Sequence, residues 1–408
     1  MGSIKTLLGL ILYKIAPQKK NRYVFTSFNG HYSDNTKYIS IKLHEKYPKA
    51  EIIWLILPQY NIDVPDYVKV VDYKSIKSFW YRGTAKAQFD NVYGFRANFL
   101  FDNKLSTKIR IKMFEWLGNK NKQPIFATMH GTSFKRIGRA QIGNNVLGFS
   151  CPNTYLIVGD RFTEKTLKYI TFEQCKMKTI GWPRNDILFR DELLKVRDKL
   201  ELPHDKRIIL FAPTFRNDGA DTEGKNVERS GINQLNEINF DILFSTLSSK
   251  FGGDWIMVCR FHYHVQNLVN WEELGKKYPG KFINGNAYDD MALYLSCADI
   301  LMTDLSSCMF DFANTGKPCF LYFPDLTNYR DNERGFFYDI KTLPFPLASD
   351  FETLVLNIKE FDEVTYKQKA KELLNKIESQ DDGKASERFI DYVMEICKND
   401  KEINKEME

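Results

Sequence analysis

From Arg22 onward, short runs of β-branched and aromatic residues alternate with longer stretches in which apolar positions recur at helical spacing. Tyr23-Val24-Phe25, Ile52 to Ile56, Val68 to Val71, Pro124 to Ala127 and Tyr155 to Val158 read as strands. The stretch from Lys37 to Tyr47 has the length and pattern of a helix between two of them. Strand and helix taken in turn predict a parallel sheet covered on both faces. A charged helix over Asp191 to Leu200 ends this series, and a second begins after it. Its strands are Arg207 to Phe211, Trp255 to Cys259, Phe282 to Asn284, Ile300 to Thr303 and Cys319 to Tyr322.

The pattern therefore predicts an α/β protein with two Rossmann-like, doubly wound domains and a domain boundary near residues 187–205. Residues 21–190 form the first domain and 191–380 the second, flanked by an N-terminal segment (1–20) and a C-terminal helix with a charged tail (381–408). Domains of this kind in tandem are expected to hold ligand in an interdomain cleft, at the carboxyl ends of the strands. The polar, glycine-containing stretch from Asn217 to Ile232 reads as a long loop. A helical pattern runs from Ala385 to Cys397.

The apolar run from Ile4 to Ile15 carries Lys5 and Lys14 near its ends and is followed by Lys19, Lys20 and Arg22. It is too short to span a bilayer, and no small-residue cleavage site follows it. Two fates fit: an amphipathic helix lying on an anionic membrane, or a first helix packed on the protein's own body. At 408 residues the chain is long enough for two cores, and its 43% hydrophobic and 27% charged residues are those of a globular protein. A net charge of +6 suits an anionic substrate or surface. The dense basic stripe with aromatic platforms that nucleic acid calls for is missing from the sequence. Seven scattered cysteines lack metal-ligand spacing and read as buried thiols in a reducing compartment.

Three clusters carry candidate chemistry. His130-Gly131-Thr132-Ser133 follows a strand, where an imidazole is placed to take a proton from an attacking hydroxyl and Gly131 lets the backbone turn sharply. Arg260-Phe261-His262 follows the strand ending at Cys259. Alternation would set Arg260 and His262 on one side, suited to gripping a phosphate. Thr303-Asp304-Leu305-Ser306-Ser307 leads from a strand into an apparent helix over Met309 to Asn314, whose N-terminus would receive phosphate. Arg184, Arg216, Arg330 and Arg334 lie near expected strand ends and could grip a diphosphate from several sides.

These clusters, in this order, resemble the CDP-glycerol glycerophosphotransferase family of teichoic acid primases and polymerases. The matching elements are Ser27-Phe28 through Asn35, His130-Gly131-Thr132, Trp182 to Asp186, Ala212 to Arg216, Arg260-Phe261-His262, Thr303 to Ser307, and Tyr329 to Asp339. Together they cover about residues 20–395. Ser133, Leu305 and Thr36 depart from the residues usual at those places in the family. The resemblance implies a GT-B-like fold, a CDP-activated donor bound mainly by the second domain, and no metal or other cofactor. It also implies a lipid-linked polymer acceptor and a peripheral position on the cytoplasmic face of the cell membrane. His130 and His262 would be the essential histidines, with Ser306, Ser307, Arg330 and Arg334 near the donor phosphates.

The expected reaction is an in-line displacement: the acceptor hydroxyl, deprotonated by His130, attacks the donor's β-phosphorus and CMP leaves. The donor polyol, glycerol or ribitol, is left open, as are the product (wall teichoic acid or capsule), its length, and self-association of the chain. A nucleotide-sugar transferase on the same fold and a non-enzymatic polymer-binding protein are the rival readings.

Overall fold

The computed structural model describes residues 3–28, 30–59, 63–91, 123–136, 154–170, 176–214, 232–261, 269–324, 326 and 335–402. Strands β1 (Arg22–Phe25), β2 (Glu51–Ile56), β3 (Val68–Asp72), β4 (Ala87–Asp90), β5 (Ile125–Thr128), β6 (Thr154–Val158) and β7 (Lys176–Thr179) form one sheet. Its order is β3-β2-β1-β4-β5-β6-β7 and every pairing is parallel. A second sheet contains β8 (Arg207–Ala212), β9 (Trp255–Cys259), β10 (Phe282–Asn284), β11 (Ile300–Thr303), β12 (Cys319–Tyr322) and β13 (Leu347–Ala348). Its order, β10-β9-β8-β11-β12-β13, repeats the plan of the first and is again parallel throughout. The strand order reverses between β1 and β4 and between β8 and β11, the switch points at which doubly wound sheets open a crevice.

The chain divides into two compact units, one of 1–132, 146–186 and 380–408, the other of 133–145 and 187–379. The C-terminal helix (Ala385–Glu402), which the sequence pattern set apart as a tail, thus belongs to the first unit. Strands β4, β7 and β13 have no counterpart in the sequence reading. β4 carries Gln88 and Asp90, β7 is an edge strand reading Lys-Met-Lys-Thr, and β13 has two residues, so none shows an apolar run.

Alternation along the strands decides how the first sheet is covered. Tyr23 and Phe25 point to one face with Ile52, Trp54, Phe89 and Phe126, under Ile39 and Leu43 of the helix Asp34–Lys46 and Phe389, Ile390 and Val393 of the C-terminal helix. Phe25 stacks on Phe89 at 4.4 Å between ring centroids, and Trp54 lies at 5.7 Å. Val24, Ile53 and Leu55 point to the opposite face. Each such large side chain contributes about 1.5–3 kcal/mol by leaving water.

The helix Ser3–Ile15 packs against the helix Ile76–Thr84. Gly9 lies against the Phe79 ring and Gly83 against the backbone of Tyr13, and a Cβ at either would overlap its neighbour. Leu10, Tyr13 and Ala16 are buried there, and the Tyr13 hydroxyl donates to Gln123 Oε1 at 3.0 Å. Leu7, Leu8, Ile11 and Ile15 remain exposed on its other side. Of the two fates read from the sequence, one face of the helix therefore shows packing on the body. No helix among the described residues is long and apolar enough to cross a membrane.

Candidate functional site

In the first unit His130 stands just beyond β5, followed by Gly131 at a φ of 130°, a conformation that a side chain would strain. The His130 side chain is 42% exposed, so its ring is open to a reactant. Phe28 lies face-on to it at 4.7 Å and 26°. Asp34 Oδ2 stands 3.7 Å from His130 Nδ1, and the carboxylate is 8% exposed. Phe28 lies in the loop after β1 and Asp34 is the first residue of the helix Asp34–Lys46, and both have left-handed backbones, φ 42° at Phe28 and 59° at Asp34. For a bulky residue that region costs about 1–3 kcal/mol, and such strain collects at functional sites.

The other contacts of that segment explain why it persists. Asn91, fully buried after β4, accepts from the Phe28 N–H at 2.8 Å and donates through Nδ2 to Asp34 Oδ2 at 3.3 Å. Arg184 Nη1 donates to Asp34 Oδ1 at 2.9 Å, while its Nη2 donates to the His130 carbonyl at 2.8 Å. Asn35 accepts from the Arg184 N–H at 3.2 Å and donates to the Met129 carbonyl at 3.0 Å. Burial alone would push the Asp34 carboxyl up, but the Arg184 guanidinium and the His130 imidazole outweigh it and hold the group well below the usual carboxylate range. Three sequence elements far apart in the chain, Ser33-Asp34-Asn35, His130-Gly131-Thr132 and Trp182 to Asp186, thus meet around one imidazole.

Thr132, Asn185 and Asp186 of these elements make contacts within the unit. Thr132 donates its hydroxyl to Asp160 Oδ2 at 2.9 Å, and Asp160 also accepts from the Thr163 N–H and hydroxyl at the start of the helix Arg161–Ile170. Asp186 accepts from the Ala385 and Ser386 N–H groups, each at 2.8 Å, and so caps the C-terminal helix. Asn185 Nδ2 donates to Asp381. Arg184, expected to grip a diphosphate, is turned instead to Asp34 and the His130 carbonyl.

The second unit gathers its elements at the ends of β8, β9 and β11. Asp304, fully buried, accepts at Oδ1 from the Thr214 N–H (2.8 Å), the Thr214 hydroxyl and the Leu305 N–H (2.6 Å). Thr303 donates its hydroxyl to the Ala212 carbonyl at 2.6 Å. These two residues therefore stitch neighbouring strand ends together. Ser306 and Ser307 are half-buried beyond them, with Ser306 Oγ accepting from the Cys308 N–H at 3.4 Å. The helix that follows, Cys308–Ala313, begins one residue earlier than the expected Met309 to Asn314 and is no longer, and six residues give little macrodipole to hold an anion.

Arg260 is not directed at an open strand end. Its Nη1 donates to the carbonyls of Gly285 (2.7 Å) and Tyr288 (2.5 Å), and its guanidinium lies over the Tyr294 ring at 5.4 Å. It holds the turn after β10. His262, Arg216, Arg330 and Arg334 lie outside the described residues. Sequence reasoning passed over Asp34, Asn35, Asn91 and Asp160. The first two sit inside a quoted element and could have been weighed. Asn91 follows a strand with no apolar signal, and Asp160 looks like an ordinary helix cap.

A family model for CDP-glycerol:poly(glycerophosphate) glycerophosphotransferase matches residues 10–395. The chain belongs to that family. Similar relatives include the teichoic acid poly(glycerol phosphate) polymerase of Bacillus subtilis strain 168, 27% identical over 371 residues, covering 86% of this chain and 45% of the relative. The teichoic acid glycerol-phosphate transferase of Staphylococcus aureus strain NCTC 8325 is 28% identical over 394 residues, covering 91% of this chain and 92% of the relative. Among solved structures, the wall teichoic acid polymerase TagF superposes with a TM-score of 0.74 at 26% identity, over 97% of this chain and 93% of that chain. This likeness and the two parallel sheets agree with the GT-B-like expectation. Against two polymerases of the family, the chain spans only about half of their length, 45% and 50%.

Proposed function

We propose that this chain transfers glycerol phosphate from CDP-glycerol to the hydroxyl end of a lipid-linked acceptor, releasing CMP, in the synthesis of teichoic acid or a related cell-surface polymer. The observation that carries the reading is the convergence of three family elements on the half-exposed ring of His130. His130 Nε2 takes the proton of the acceptor hydroxyl as its oxygen attacks the donor's β-phosphorus. The bond from that phosphorus to the bridging oxygen breaks, and CMP departs. Ser306, Ser307, Arg216, Arg330, Arg334 and His262 offset charge on the diphosphate and leaving group. Such catalysis is mostly positioning and electrostatics, which suits a site whose reactive group is held by a buried charge network.

The exposed face of the helix Ser3–Ile15 supports peripheral contact with the inner face of the cell membrane. Leu7, Leu8, Ile11 and Ile15 would enter the lipid while Lys5 and Lys14 meet anionic head groups. The test of the reaction is CMP release from the purified chain with a lipid-linked acceptor, given CDP-glycerol or CDP-ribitol. We expect release with CDP-glycerol and its loss by at least about 100-fold in His130→Ala. Release with CDP-ribitol alone would move the donor to the other polyol. Silence with both, from a folded protein, would overturn the reading in favour of nucleotide-sugar transfer.

A further inference from the structure

A histidine that accepts a proton at one ring nitrogen must carry its own proton on the other, and something must fix that choice. Among the described residues, Asp34 is an acidic group placed at the right edge of the His130 ring. Asp34 Oδ2 faces Nδ1 at 3.7 Å, leaving the opposite edge, with Nε2, unopposed by this carboxylate. The distance exceeds a hydrogen bond by about 0.5 Å, a gap of the kind that closes when ligand is bound. The carboxylate cannot drift: Arg184 grips Oδ1 at 2.9 Å and Asn91 donates to Oδ2 at 3.3 Å. Asn91 at the same time accepts from the Phe28 N–H at 2.8 Å, so one carboxamide ties together the residue beside Nδ1 and the residue stacked on the ring.

We infer that Asp34, held by Asn91 and Arg184, is the positioning residue of the site: it keeps the proton of neutral His130 on Nδ1 and so presents Nε2 as the acceptor. Phe28 completes the holder by lying face-on to the ring, which opposes its turning about the Cβ–Cγ bond. The left-handed backbones of Phe28 and Asp34 follow from this, since both side chains must reach one imidazole from the same short segment. The inference rests on reading His130 as the base.

Two readouts on the full chain test it. In Asp34→Asn the amide must turn a donor toward Arg184, Asn91 or His130, so kcat for CMP release should fall about 100-fold with the donor KM within about twofold. A role confined to stability would lower the melting temperature and leave kcat per folded molecule unchanged. The second readout is the pair of imidazole nitrogen shifts in protein labelled with 15N-histidine, with the His130 signal identified by its loss in His130→Ala. The wild-type ring should carry its proton on Nδ1 and the Asp34→Asn ring should move toward the Nε2–H form. Should Asp34→Asn fail to fold, Asn91→Ala carries the test, because the Asp34–Arg184 pair stays whole. It should cost about tenfold in kcat and mix the two tautomers. Unchanged kcat and unchanged tautomer in either folded variant would overturn the inference. Retained CMP release in His130→Ala would instead overturn the reading beneath it, while the tautomer measurement would still report whether Asp34 orients the ring.

Discussion

Each unit buries an aspartate at the carboxyl end of its sheet, and the two are used in opposite ways. Asp34 faces a guanidinium and an imidazole, and its charge is part of what it does. Asp304 accepts from two backbone N–H groups and a threonine hydroxyl, joining the loops after β8 and β11. The first aims a side chain; the second shapes backbone. A buried ion pair is costly to break and sensitive to geometry, whereas a carboxylate on neutral donors can be replaced by another acceptor of the same shape. Family motifs that look alike on paper as "Asp near a strand end" therefore differ in the chemistry they support.

Removing one side of the ion pair should expose the contrast most sharply. Arg184→Leu strands the Asp34 carboxylate and should cost about 3–5 kcal/mol in urea unfolding. Asp304→Asn keeps an acceptor oxygen for Thr214 and Leu305 and should cost about 1 kcal/mol. Equal losses would erase the distinction. A smaller effect is expected at Gly159, where a Cβ would overlap the Trp182 indole beside Arg184. Gly159→Ala should lose about 1–3 kcal/mol and show it as a lower melting temperature.

The smallest effects separate a buried carboxylate, Glu164, from an exposed one, Asp254, by pH and salt. Burial would raise Glu164, but Lys168, Thr179 and Arg161 outweigh it and bring it down to about 2 from 4.5. Its stabilisation is therefore present above pH 4.5 and lost as pH falls toward 2, so Glu164→Gln should flatten that part of the acid unfolding curve. Asp254 is held at about 2, from 3.8, by hydrogen bonds from Lys206 and Lys281 in open solvent. Asp254→Asn should cost less than about 1 kcal/mol, and the cost should vanish in high salt.

The fold was largely legible because parallel strands covered on both faces carry short apolar runs, and ten of the described strands show one. β4, β7 and β13 do not, since their place comes from neighbours rather than from their own residues. The site was legible in part. His130 was singled out because an imidazole at a strand's carboxyl end, followed by Gly and hydroxyl residues, sits where α/β domains place reactive groups. The partners of Arg184 and Arg260 were not, because an arginine that binds carbonyls or a buried carboxylate looks the same in sequence as one that binds phosphate. Asp34 was visible within an element but its target, ninety-six positions away, depends on which strands become neighbours.

The C-terminal helix has a consequence for how the protein is made. Phe389, Ile390, Val393 and Cys397 share a core with Tyr23 and Phe25 at the other end of the sequence. During synthesis the first sheet emerges, then waits while residues 187–379 of the second unit are added, on the order of ten seconds at ~5–20 residues per second. Until Ala385–Glu402 arrives, one face of that sheet lacks part of its cover, so the unit begun first is the one finished last. A premature stop between residues 380 and 385 would therefore damage the unit that carries His130, far upstream of the lesion, and leave the second unit's stretch 187–379 complete.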